Sequence, residues 1–267
     1  GGLAVAIRTH GRVVDEMVLR SPSGLKAALG ENPKRVYGER TQTPSTRLGV
    51  ALTIRQAFAR ARAWAAKPAE ERDADLVSEA LCRVLEREIP WRQHSHRADD
   101  IATALRIAEE FGFDLVLDHG TESYLIADKI AAAGVPVLYG PLIVSRSKVE
   151  VRHRTPKAPG ILTAAGVKVS IITDHPVVPI EFLVDQAALA VKHGMAAQEA
   201  LRAITLNPAE VLGLADRLGS LVPGKDADLV LWEGDPLDLR HRTLQVWQAG
   251  QEVMRRDGSG EPVVAAR

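Results

Sequence analysis

Three short stretches carry residues that could do chemistry together. The first, Trp91-Arg-Gln-His94-Ser-His96, ends an extended run in two histidines. The second, Phe113 to Leu117, is a compact apolar run that ends in Asp118-His119-Gly120. The third, Ser170-Ile-Ile-Thr-Asp174-His175, again places a polar pair just past an apolar run. Imidazole nitrogens and a carboxylate are the ligand set of zinc-type hydrolytic centres, which activate water at neutral pH. A histidine at a strand end is also a common hydrogen-bonding group, so each of His94, His119 and Asp174 alone has a structural reading. Three such ends in one series favour a metal site.

The elements between these stretches decide whether they can meet. Arg97-Ala-Asp-Asp-Ile opens a helix of 3.6 period, with Ile101, Leu105 and Ile107 near one stripe, and Gly112 stops it. Strands joined by one helical crossover pair in parallel with right-handed connection. Both histidine sites therefore fall at the carboxyl ends of neighbouring parallel strands, the edge where α/β folds bind ligands. After His119 the pattern gives a helix from Glu122 to Ala133, a strand from Val135 to Tyr139, a short helix from Ile161, and a strand from Val167 to Ile172. The segment 140–159 reads as a long polar loop at the catalytic edge, a lid or substrate contact. Its Arg146, Arg152, His153 and Arg154 could meet a substrate carboxylate.

Upstream, Val14 to Leu19 is weakly strand-like, Ser21-Pro-Ser-Gly24 reads as a turn or a bulge, and Leu25 to Leu29 is short and apolar. Glu31 follows a possible strand end and is a fourth ligand candidate. Lys26 would be an alternative only if carbamylated, since an ammonium has no lone pair. Asn32-Pro33-Lys34 could start a short helical turn. A long helix is expected over 48–66, with Arg55, Arg60 and Arg62 on a solvated face, and a second from Pro68 at its first turn through Arg87. After Leu214 the character changes: Asp228 to Trp232 is a strand, and Leu244 to Met254 is a hairpin around Ala249-Gly250.

The chain has 267 residues, 46% hydrophobic and 25% charged, enough for a full core. Its 34 basic residues balance 34 acidic ones, which gives no support for nucleic acid or an anionic membrane as partner. One cysteine, Cys82, precludes an internal disulfide and points to a reduced, cytoplasmic compartment. No run approaches transmembrane length.

These motifs resemble the amidohydrolase superfamily, in its imidazolonepropionase-like branch of metal-dependent hydrolases. The words that carry the resemblance are TLNPAEVLGLADRLGSLVPGKDADLVLW with the hairpin after it, then HSHRADDI, LDHG, ITDHP and GLKAALGENPKRVYG. It implies a (β/α)8 TIM barrel in 1–214 and part of a small β-sandwich in 215–267. His94 and His119 then match the metal ligands of the fifth and sixth strands, and Asp174 the eighth-strand residue that binds metal and accepts a proton. Glu31 is the match for an acidic ligand from an earlier strand, and His96 or His175 would contact substrate. The cofactor would be one or two divalent ions, zinc first. The reaction would be cleavage of a C–N bond in a cyclic amide, amidine or peptide-like small molecule by activated water. A prolidase-like dipeptidase is a second reading, and a non-catalytic barrel relic or a fragment needing a partner segment is a third.

The family's first-strand His-x-His is not among these residues; His10 stands alone. Counting from Gly2 gives at most seven barrel strands where eight close a barrel. The expectation is that this is the carboxyl-terminal portion of a longer protein, completed by a missing amino-terminal segment or a second chain, and assembled as a homo-oligomer.

Overall fold

The computed structural model describes residues 1–265. In chain order the elements are β1 (Gly2–Ile7), α1 (Val14–Met17), β2 (Val18–Ala28), α2 (Glu31–Glu39), α3 (Arg47–Ala65), α4 (Leu76–Leu85), β3 (Trp91–Ser95), α5 (Ala98–Phe111), β4 (Leu115–His119), α6 (Ala127–Ala132), β5 (Val137–Tyr139), α7 (Ala158–Ala164), β6 (Val169–Ile171), α8 (Leu183–Lys192), α9 (Ala197–Ile204), α10 (Leu206–Val211), β7 (Leu229–Trp232), β8 (Thr243–Gln248), β9 (Gln251–Arg256) and β10 (Pro262–Val264).

Six strands form one sheet in sequence order, β1 to β6. β2 to β6 run parallel, and β1 is antiparallel to β2. Helical crossovers separate the parallel strands, so the sheet winds progressively as in a TIM barrel, but it stays open at β1 and β6. A separate antiparallel sheet has the order β10-β9-β8-β7. The fold is thus α/β, an incomplete barrel with a small β unit beside it. Arg8 reaches Asp226 at 2.5 Å, and Gln248 donates to the His10 carbonyl at 2.9 Å, tying the end of β1 to the second sheet.

Register sorts the strands into two faces. Leu117, Val137 and Val169 stand opposite one another, all buried, on the helix-covered face. Trp91 shares that face and meets Phe58 of α3 at 4.9 Å between ring centroids. Phe111 and Phe113 complete the cluster, at 5.1 and 4.8 Å from Phe58, which is fully buried. This aromatic wedge pins the α3–α4 insertion to the sheet. On the opposite face the alternation places Lys26, Arg92, His94 and Asp118.

Several local expectations are corrected. Ser21 to Gly24 is not a turn but part of β2, and the residues before it form the helical turn α1. Pro22 is tolerated because β3 pairs with β2 only from Leu25 onward, so one edge of β2 there needs no donor. The pairing with β1 shifts register between Ala4 and Ala6, the bulge alternative. The helix expected from Pro68 to Arg87 is broken: a short turn at Ala69–Glu71 ends, and α4 starts afresh at Asp75. The Asp75 carboxylate accepts from the Val77 and Ser78 amides at 3.1 and 3.0 Å and nucleates that new start. Among the described residues the barrel-like sheet has six strands, five of them parallel, within the expected maximum of seven. Among the described residues no helix is long and apolar enough to cross a membrane.

Candidate metal centre

His94 is the fourth residue of β3, and His96 lies one residue past its end. They are two apart, so both project from the same side of the chain. His119 ends β4 at the neighbouring strand position, with φ +73°. That left-handed turn is rare for a side-chain-bearing residue and is a mark of a functional constraint. It ends the strand with the three rings in contact: His94 to His119 is 4.4 Å between centroids, His94 to His96 is 4.7 Å and His96 to His119 is 5.0 Å.

Hydrogen bonds fix which nitrogens are free. The His119 Nδ1 lies 2.8 Å from the Gly140 carbonyl. A carbonyl only accepts, so Nδ1 carries the proton and Nε2 keeps its lone pair. The Lys148 ammonium donates to Asn32 Oδ1 at 2.7 Å, which orients that amide and leaves its Nδ2 facing His94 Nε2 at 3.1 Å. His94 Nε2 is therefore an acceptor as well. His96 Nδ1 shares a hydrogen bond with Thr121 Oγ1 at 2.7 Å. Burial, followed by the His119 and His96 charges, pushes the His94 pKa far down. Burial and then His119 push His96 down to about 3. Burial also lowers His119, against the opposing effects of the Gly140 carbonyl and Asp174. At neutral pH the site holds three neutral imidazoles, the state in which histidine binds metal.

A carboxylate joins them from the 140–159 loop. Glu150 is buried, with its pKa raised by that burial. One donor atom from each of His94, His96 and Glu150 lies within 4.8 Å of the others. His96 Nε2 is 3.7 Å from Glu150 Oε1, and that oxygen has no hydrogen-bond partner among the described residues. Two lone-pair imidazoles beside an unpaired carboxylate oxygen fit a divalent cation of borderline softness.

The other expected residues fall as follows. Asp174 follows β6 in an exposed turn with φ +54°, and its charge acts on His119. His175 is exposed beside it. Glu31 opens α2, and its Oε1 accepts from the Glu150 amide at 3.2 Å while its own amide donates to Glu150 Oε2 at 2.8 Å. Lys26 forms an ion pair with the buried Asp118, which Arg92 meets from another side at 3.2 Å. Arg146, Arg152 and His153 are exposed, His153 pairing with Glu122 at 2.9 Å, and Arg154 is half-buried. Sequence reasoning missed Glu150, Asn32 and Thr121. The one available signal was the position of Glu150 in the loop already placed at the ligand-binding edge.

Histidines at the carboxyl ends of parallel βα strands are an arrangement that can hold a catalytic metal. The amidohydrolase family model matches residues 76–258, and the chain belongs to that family. It is 30% identical over 245 residues to the amidohydrolase tasK of Hapsidospora irregularis, covering 85% of this chain and 25% of that protein. It is 33% identical over 149 residues to an imidazolonepropionase of Maricaulis maris (strain MCS10), covering 54% of this chain and 36% of the relative. It thus spans about a quarter to a third of these curated relatives. The crystal structure of an amidohydrolase from Thermotoga maritima MSB8 superimposes with a TM-score of 0.93 at 46% identity, over 96% of this chain and 69% of that one.

Proposed function

We propose that this chain carries the centre of a metal-dependent hydrolase that cleaves a C–N bond in a small cyclic amide, amidine or peptide-like substrate. The observation that carries the reading is the convergence of three buried imidazoles at adjacent parallel strand ends, with Nε2 of His94 and of His119 left as acceptors by their hydrogen bonds. His94 and His119 are the proposed ligands, with zinc as the first choice of ion for a nitrogen and carboxylate set. Bound there, the ion would supply Lewis acidity and a more acidic water. The His119 orientation is held by the Gly140 carbonyl, a contact that keeps Nε2 free for ligation.

Asp174 is the proposed proton carrier. Its carboxylate sits at the open edge, accessible to water and close enough to act on His119. A carboxylate there can take a proton from the attacking water and deliver it to the leaving nitrogen. His96 or His175 is the proposed contact for charge on the substrate oxygen. Similarity to imidazolonepropionases supports a cyclic amide-like substrate. In this reading 1–214 forms the barrel part and 215–267 the β part. A further segment or a second chain would pair at the open edges β1 and β6.

The test is Asp174→Asn, assayed on a panel of cyclic amides, deaminase substrates and dipeptides with metal content measured in parallel. The expected result is a loss of at least about a hundredfold in kcat with metal retained. Turnover near that of the unmodified protein would refute the role of Asp174.

A further inference from the structure

The Glu150 carboxylate is held with unusual firmness for a loop side chain. Its Oε2 accepts the Glu31 amide at 2.8 Å and lies 3.5 Å from Arg47 Nη2, while its own amide is bound by Glu31. Gly30 makes room for it: a Cβ at that position would stand 2.5 Å from Oε2. These contacts use one carboxylate oxygen only. The other, Oε1, is buried, unpartnered among the described residues, and faces His96 Nε2 at 3.7 Å, too long for a hydrogen bond. A buried acceptor left unsatisfied costs about 1–3 kcal/mol, more when charged. A side chain clamped on one oxygen and bare on the other is aimed at something that binds the bare one.

The surroundings say what that is. His94 and His96 each offer a ligand atom within 4.8 Å of the Glu150 carboxylate. Zinc bonds of about 2.0–2.2 Å to nitrogen and oxygen place tetrahedral ligands about 3.4 Å apart. The His96–Glu150 separation of 3.7 Å is already close to that spacing. Asn32 is the present neighbour of His94 Nε2 and would yield its place on ligation through that atom.

We infer that His94, His96 and Glu150 form a divalent-cation site in which the Glu150 carboxylate is a direct ligand. This rests on the reading of this edge as a metal centre and deepens it by naming the carboxylate, which comes from the loop after β5 rather than from Glu31. The 140–159 loop thereby gains a second role, because seating its carboxylate over the two histidines completes the ligand set.

The experiment titrates the metal-free chain with Co2+, reading the visible d–d absorption and the calorimetric affinity. Glu150→Gln and His96→Asn should each weaken Co2+ by at least about tenfold and change the absorption band. Glu31→Gln, which keeps an acceptor for the Glu150 amide, should stay within about threefold. Far-UV circular dichroism and the metal-free Tm establish that each variant is folded; if Glu150→Gln is not, His96→Asn, which lies outside the clamp, carries the test. Affinity unchanged in Glu150→Gln or in His96→Asn overturns the inference, as does failure of the unmodified chain to bind Co2+ and Zn2+. The two readings separate cleanly. Unchanged Co2+ binding in Glu150→Gln with turnover lost in Asp174→Asn removes only the Glu150 site. Weakened binding in Glu150→Gln with normal turnover in Asp174→Asn removes only the proposed role of Asp174.

Discussion

Arg47 is paired with two buried acids behind the candidate site, and Arg47→Met removes the cation while keeping most of the side-chain volume. Its Nε donates to Asp100 Oδ2 at 3.0 Å and its Nη2 lies 3.5 Å from Glu150 Oε2. The Asp100 and Glu150 side chains are 5% and 0% exposed, and that of Arg47 is 24% exposed. Removing one member of a buried pair costs about 3–5 kcal/mol, and water entering through the exposed part of the Arg47 site reduces the expectation to about 2–4 kcal/mol. For a chain of this size that is a fall in Tm on the order of 10 °C.

The pH dependence has a definite sign. Burial raises the Asp100 pKa above the usual carboxylate range, and Arg47 opposes the rise. A carboxyl whose folded pKa is raised contributes stability that is full below its unfolded pKa and is lost as pH climbs through the folded one. Without Arg47 the folded pKa climbs further, so the penalty of the substitution grows from acid toward neutral pH. Urea unfolding at pH 4.5 and at pH 7.5 should therefore show the larger deficit at pH 7.5. A deficit under about 0.5 kcal/mol at neutral pH, or one that grows in acid, would refute the buried-pair account.

Three further outcomes follow from particular contacts. Gly30→Ala should destabilise by about 1–3 kcal/mol more than Gly166→Ala, because both have φ near +86° but only at Gly30 would the new Cβ meet Glu150; equal effects in urea unfolding would sink that assignment. Phe58→Ala should cost about 3–5 kcal/mol by the same measurement, since the ring is fully buried against Trp91, Phe111 and Phe113. The Cys82 thiol, buried and with its pKa raised by burial and then by Glu86, should react with a disulfide reagent at least about a hundredfold more slowly in the folded chain than in denaturant.

The strands from β4 to β6 were legible because each is a short apolar run with a polar end, separated by helices of clear period, and β3, Trp-Arg-Gln-His-Ser, was marked by its histidines instead. His94 and His119 sit at neighbouring strand ends as that pattern requires. Glu150 was illegible for the opposite reason. It stands in a polar loop without periodicity, and it is buried only because Gly30, Glu31 and Arg47, more than a hundred residues upstream, fold around it. Arg47 stands just ahead of the helix expected over 48–66, and Asp100 in the opening turn of the helix after His96. Their pairing is tertiary and leaves no local trace. Ser21 to Gly24 failed differently: Pro and Gly there are turn residues by propensity, but one-sided pairing lets them stand in a strand.

The ions beneath the histidines bear on the chemistry as well as on the fold. Asp118 is buried on the same face as His94, and it is met by both Lys26 and Arg92. Two cations for one carboxylate leave positive charge under the ring cluster, and Lys26 acts on all three histidines in the direction that disfavours protonation. Protons compete with metal for imidazole lone pairs, so a floor that keeps the rings neutral widens the pH range over which they can ligate. The same floor would repel a divalent ion unless negative charge stood on the other side. Glu150 and Asp174 both come from loops at the carboxyl end of the sheet, above that floor. In the proposed site the strand residues would supply neutral nitrogen donors and the loops the compensating charge, so that cation binding would be coupled to how the loop that carries Glu150 is seated.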